Sequence, residues 1–221
     1  MTPSVPLWHG LTRLGEAQLL LPAMLLAVLW LLRRPGAGRL AAGWLLATLF
    51  AAALTTASKV AFIGYGWGWA PLDFTGISGH AMFAAAILPP LAHLAEGALP
   101  VRWCGWGLAA GCALAALVGV SRVVVGAHSW SEVLVGLALG GAASAAALAA
   151  GHLPRLPMAR WAPLALCAGL AFGMNQAPAS TTHDWVTRLA LASSGRPMPY
   201  QRWQMHRDFR RQAAAGSMQP R

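Results

Sequence analysis

Three short stretches hold most of the residues in this chain that could do chemistry. The longest reads Ser121-Arg122, five residues, His128, three residues and Glu132. One helical turn separates His128 from Glu132, so the carboxylate can reach the imidazole, fix its tautomer and leave the other ring nitrogen free to attack. Ser129-Trp130-Ser131-Glu132 also spells a capping box, in which Glu132 only satisfies a backbone N–H. The spacing favours neither reading. The second stretch, Ser78-Gly79-His80, stands directly before the apolar run Ala81 to Leu88. Ser78 is placed as an N-cap, Gly79 lets a ligand approach the backbone, and the N–H groups of the following helix make an anion site. A cap alone leaves the histidine in the first turn unexplained. The third feature is Lys59, the only lysine among sixteen basic residues. It is either a compact ammonium placed for a reason or a side chain snorkelling from a span end. Two cations, a helix N-terminus and two histidines can hold a phosphate and supply a nucleophile and an acid.

The elements that must position these residues follow from composition. The chain has 221 residues, 57% hydrophobic and 10% charged, where a typical globular protein has about 25% charged residues. That excludes a soluble domain and requires an integral membrane protein. Six apolar stretches, at about 17–32, 41–58, 80–97, 105–122, 131–150 and 161–175, are expected to be transmembrane helices. The fold class is therefore all-α, a polytopic membrane bundle of about six helices. Residues 1–16 form an N-terminal segment, 17–175 the membrane domain with its motif-bearing core at about 40–150, and 176–221 a basic C-terminal tail. Gly136 and Gly140 offer a GxxxG face, expected to pack inside one bundle rather than between two copies. Cys104, Cys112 and Cys167 have no metal or redox spacing and read as small buried hydrophobes.

Arginine in the short loops sets the orientation. Arg33, Arg34 and Arg39 lie in loop one, Arg102 in loop three, and Arg155 and Arg160 in loop five. These loops are expected on the cytoplasmic side. Loops two and four, with Lys59, Ser78, Gly79, His80, Arg122, His128 and Glu132 in or beside them, then face outward. The formal charge is +10, and residues 176–221 hold seven arginines against Asp184 and Asp208. In the tail, Trp185 to Leu191 could form one short amphipathic helix, and Tyr200 to Arg211, where Trp203 and Phe209 are mixed with arginines, reads as an interfacial segment; the alternative is a disordered basic terminus. Such a charge distribution suits anionic lipid headgroups better than nucleic acid.

These residues resemble the type-2 phosphatidic acid phosphatase family, which shares its core with vanadium haloperoxidases. The family pattern is Lys-x6-Arg-Pro, then Pro-Ser-Gly-His, then Ser-Arg-x5-His-x3-Asp. The third part matches here at Ser121, Arg122 and His128, with Glu132 in place of the aspartate. The second matches at Ser78, Gly79 and His80, with Ile77 in place of proline. In the first, Lys59 matches but Gly66 and Trp67 occupy the Arg-Pro positions, and no other arginine lies in loop two.

The resemblance implies a metal-independent, two-step phosphoryl transfer with no cofactor. His128 would attack phosphorus to form a phosphohistidine, with Glu132 orienting it. His80 would protonate the leaving oxygen, and Lys59, Ser78, the Gly79 N–H and Arg122 would hold the other oxygens. The expected activity is hydrolysis of a lipid phosphomonoester or diphosphate: a polyprenyl diphosphate, phosphatidate, phosphatidylglycerophosphate or lipid A phosphate. The expected setting is a bacterial-type inner membrane, with the site on the periplasmic face. Two alternatives share the motifs: a lipid phosphotransferase, and a non-catalytic membrane protein that binds lipid phosphates.

Overall fold

A segment that crosses lipid must satisfy its backbone N–H and C=O groups internally, and a chain rich in alanine and leucine does so as helix. The computed structural model describes residues 5–98, 100, 105–151, 161–176 and 181–217. Among these the helices are α1 (Val5–Arg13), α2 (Ala17–Leu32), α3 (Gly38–Tyr65), α4 (Gly79–Ala95), α5 (Trp106–Val124), α6 (Trp130–Ala150), α7 (Ala162–Gln176), α8 (Thr182–Ser194) and α9 (Arg202–Ser217). All six expected stretches are helical, and the all-α membrane bundle stands.

Among the described residues, four helices meet the length and hydropathy needed to cross a membrane, or five with a bent pair. The four are α3, the run Gly79–Ala98, α5 and α6; α1 and α2, bent by 44°, would make the fifth if they cross as one unit. α7 has 15 residues, about 22 Å at 1.5 Å per residue, against roughly 30 Å of hydrocarbon. α3 also runs well past its expected end. Lys59 therefore sits on a helix rather than in a loop, and α3 closes with Gly66 in the left-handed conformation (φ 76°).

α4 lies at the centre, with Ala81, Met82, Ala84, Ala86 and Ile87 fully buried. Its Pro89 and Pro90 lack the N–H groups that would bond the carbonyls of Ala85 and Ala86. Neighbouring helices supply replacements: Ser144 Oγ donates to Ala85 O (2.6 Å) and Trp44 Nε1 to Ala86 O (2.9 Å). The GxxxG face of α6 meets this same helix. A Cβ at Gly136 would lie 2.7 Å from Ser78 O, and one at Gly140 2.2 Å from Met82 O. The two glycines thus pack within one bundle, and they set the start of α6 against the start of α4.

Two expectations are corrected. Cys112 and Cys167 are exposed on the bundle surface rather than buried; in a membrane protein an apolar run does not distinguish an inward face from a lipid-facing one. The tail, in its described residues 181–217, folds as α8 and α9 and packs on the bundle rather than being disordered. Phe62 and Ile63 at the end of α3 form a buried cluster with Val186 and Ala190 of α8 and Met205 of α9. Tyr200 N donates to Ile63 O (2.9 Å), and the rings of Phe62 and Tyr200 meet edge to face at 5.5 Å. Cys104, Arg102, Arg155 and Arg160 lie outside the described residues.

Candidate active site

The end of the bundle where α3 and α5 stop and α4 and α6 start collects the polar residues. Loop two returns from α3 to α4 through the bridge between Trp69 and Phe74, with Asp73 in the left-handed region (φ 50°). Gly76 (φ 130°) then presses the loop onto Lys59: a Cβ there would lie 3.1 Å from Lys59 Cγ and 3.3 Å from its Cα. Ser58 Oγ donates to Thr55 O and accepts from Ile77 N (3.0 Å), which fixes the chain just ahead of Ser78. Ser78 takes the N-cap position of α4 as expected, but its hydroxyl makes no cap bond. Its N–H donates to Glu132 O instead (3.1 Å).

Loop four is short and folds back on α5. The N–H groups of Ala127 and His128 both donate to Arg122 O, at 3.0 and 3.2 Å, which brings His128 beside Arg122. α6 begins at Ser129 with a complete capping box to Glu132. His128 Nδ1 also meets Glu132 Oε2 at 2.6 Å. Both readings of Glu132 are therefore true at once, because one carboxylate serves the helix cap with one lone pair and the imidazole with another. Since the carboxylate only accepts, Nδ1 donates and Nε2 keeps the free lone pair.

Glu132 is fully buried. Its Oε2 accepts from His128 Nδ1 and Ser129 N, and its Oε1 from Thr75 N (2.7 Å), Thr75 Oγ1 and Arg202 Nη2 (2.8 Å). A glutamine would turn an NH2 group toward one of these donor sets. Glu132→Gln is accordingly expected to lower stability by roughly 3–5 kcal/mol, the scale for breaking a buried pair, and to slow turnover. A thermal melt of the purified protein beside its rate checks both.

A cavity of about 610 Å³ opens at this end, and Lys59, Gly79, His80, Arg122 and His128 line it. Ser78 and Glu132 are buried behind the lining. A Cβ on Gly79 would lie 3.9 Å from Lys59 Nζ, so the ammonium lies close to the first residue of α4 in the same lining. Among the described residues Ser78 Oγ and Arg122 Nε are buried without a hydrogen-bond partner. Leaving such groups unpaired costs about 1–3 kcal/mol each, which a bound anion would relieve. Burial pushes the His128 imidazole below its usual pKa, with Glu132 pulling it up and Lys59 and Arg122 pushing it further down. Ser121 is committed elsewhere, its hydroxyl bonded to Thr12 Oγ1 (2.7 Å) and Val118 O (2.6 Å).

Several contributors were not legible in the sequence. Gly15, at the bend between α1 and α2, lies so close to His80 that a Cβ would come 3.0 Å from His80 O. Thr187, Tyr200 and Arg202 of the tail line the cavity. Arg202 Nη1 bonds Asp73 O (3.0 Å) and the Asp73 carboxylate, and its Nη2 bonds Thr75 Oγ1 (3.1 Å) and Glu132. The cluster of tail arginines was visible, but nothing in its pattern marked which one turns inward.

Comparison with known proteins converges on the same region. Residues 61–153 match the PAP2 superfamily, a range that holds six of the seven motif residues and begins just after Lys59. The chain is 39% identical over 138 residues to an "uncharacterized 22.5 kDa protein in cps region" of Klebsiella pneumoniae. That alignment covers 62% of this chain and 66% of the relative, just under two thirds of the relative's length. No solved structure matches. A helical membrane core carries the second and third motifs in order, and across that core, residues 61–153, the chain is similar to the PAP2 superfamily.

Proposed function

We propose that this protein is a membrane-embedded lipid phosphatase that works through a phosphohistidine. The observation that carries the reading is the His128–Glu132 pair, which leaves Nε2 free beside a cavity also lined by His80, Lys59 and Arg122. In the first step His128 Nε2 bonds to phosphorus, the bond to the leaving oxygen breaks, and His80 delivers a proton to that oxygen. In the second, water attacks phosphorus, the P–N bond breaks, and His80 takes the proton back. Lys59, Arg122, Ser78 and the Gly79 N–H neutralise the charge spread over the remaining oxygens, where positioning and electrostatics supply most of the acceleration. A lipid substrate suits a site at the end of a membrane bundle, since the tail can stay in the bilayer while the headgroup enters the cavity. The test is phosphate release by the purified protein from diacylglycerol and polyprenyl mono- and diphosphates. No release from any of them, or equal release by a His128→Ala variant, overturns the reading.

The short-loop arginines support a site that faces outward, on the periplasmic side of an inner membrane. Leu72 is half exposed in loop two and Arg39 is exposed at the other end of α3. In a variant with its cysteines replaced by alanine, Leu72→Cys should react with a membrane-impermeant thiol reagent in intact cells and Arg39→Cys should not. The reverse pattern would place the site in the cytoplasm.

A further inference from the structure

The motif arginine that should follow Lys59 is absent. Its position holds Gly66, whose left-handed backbone caps α3 (φ 76°) and whose Cβ, if present, would touch the Tyr200 ring at 3.4 Å. A second departure is the glutamate at 132, one methylene longer than the aspartate it replaces.

We infer that Arg202, carried to the cavity by the C-terminal helix α9, is a positioning residue that holds Glu132, and through it His128, while clamping loop two to the same carboxylate. Arg202 Nη2 bonds Glu132 Oε1 at 2.8 Å and Thr75 Oγ1 at 3.1 Å, and Nη1 bonds the Asp73 backbone and carboxylate. Thr75 N reaches that same Oε1 at 2.7 Å. One oxygen of Glu132 is thus fixed by loop two and the tail, and the other is aimed at His128 Nδ1. A glutamate has one more rotatable bond than an aspartate and loses more freedom when fixed. Gripping its far oxygen with a planar fork supplies the orientation that the shorter side chain would have by itself. His206 Nε2 also meets Asp73 Oδ1 (2.6 Å), apart from Glu132, and Tyr200 Oη donates to Asp208 within the tail (2.8 Å).

The arrangement also sets the charge that His128 feels. Its surroundings are Lys59 on α3, His80 on α4, Arg122 on α5, Glu132 on α6 and, across the carboxylate, Arg202 at the start of α9, itself paired with Asp73 of loop two. Arg202 competes with the imidazole for the negative charge of Glu132. Without it, His128 is the only cation that the carboxylate can pair with directly, and the proton affinity of the nucleophile rises.

The kinetic part of this assignment rests on the phosphatase reading, and the test separates the two. The full-length protein and its Arg202→Met, Arg202→Lys and His206→Ala variants are assayed for kcat, KM and pH profile on a lipid phosphate. In parallel the His128 imidazole is titrated by NMR in histidine-labelled protein, its resonance assigned by its loss in His128→Asn. Arg202→Met is expected to lower kcat about 10- to 100-fold, the range for removing a group that orients a reacting one, and to change KM less. It should move the acid limb of the profile, and the His128 titration, to higher pH. Arg202→Lys should restore part of kcat, since a point charge can bond Glu132 but cannot reach Asp73 with the same grip. His206→Ala loosens the tail without touching Glu132 and should leave the His128 titration in place. An unchanged His128 titration in Arg202→Met, or an equal shift in His206→Ala, overturns the assignment. If the parent protein releases no phosphate from any lipid, the phosphatase reading fails while the titration still decides whether Arg202 acts on His128.

Discussion

His128→Ala is expected to remove turnover and to leave a folded bundle in the membrane. The expected loss is on the order of 10⁴-fold or more, because a covalent route without its nucleophile falls back on water attack in a site built for something else. Folding should survive, since Glu132 Oε2 keeps the Ser129 N–H when Nδ1 is gone, and Oε1 keeps Thr75 and Arg202. The pH profile of the parent protein tests the same residue from another side. Attack needs neutral imidazole, and burial holds the His128 pKa below its usual value against the opposing pull of Glu132. As pH falls, kcat/KM should therefore hold until the lowered pKa is crossed, and the acid limb should lie below the ordinary imidazole value of about 6.5. A limb at or above that value would mean that the group in question is not His128 in this setting. Activity that persists in His128→Ala at a similar rate, in protein shown to be properly inserted, would remove the phosphohistidine altogether.

The sequence made the bundle and the two histidine motifs readable for physical reasons. A chain with so few charges cannot cover a soluble surface, and each polar residue at membrane depth then stands out against the apolar background. Gly136 and Gly140 could be placed in a packed face because small residues four apart put both on one side of a helix, where backbones approach closely. The ambiguity at Glu132 could not be resolved, since a capping box and a histidine partner have compatible spacing, and only the coordinates reveal that the carboxylate does both. Hydropathy located all six helices, but the 44° bend between α1 and α2 is visible only in the fold. The tail was misread for a different reason. Its packing on Phe62 and Ile63 joins residues more than a hundred positions apart, and an amphipathic basic helix looks the same whether it lies on lipid or on protein. Arg202 is the clearest case: one of seven arginines in that segment, distinguishable only by the Asp73, Thr75 and Glu132 it meets.

Lys59→Met should cost about 10²-fold or more in kcat/KM, several kcal/mol of transition-state stabilisation, with membrane yield unchanged. The reason lies in what the other cations are doing. Arg202 reaches loop two, but its Nη1 and Nη2 are both bonded to protein, to Asp73, Thr75 and Glu132. Lys59 instead lines the cavity, with its ammonium close to Gly79 at the start of α4. A phosphoryl group bound between that amide, Ser78 and Arg122 would take its remaining charge neutralisation from Lys59. A snorkelling side chain would behave differently. Arginine would replace it without loss, and methionine would alter insertion more than rate. The packing argues against an easy exchange, because Gly76 crowds the Lys59 stem so closely that a Cβ would come within 3.1 Å of Cγ. A guanidinium on that stem would have to displace loop two or point elsewhere, so Lys59→Arg should recover only part of the rate. Measuring kcat/KM and inserted protein for both variants separates the cases. Full activity in Lys59→Met would leave the α4 N-terminus and Arg122 as the whole of the phosphate site.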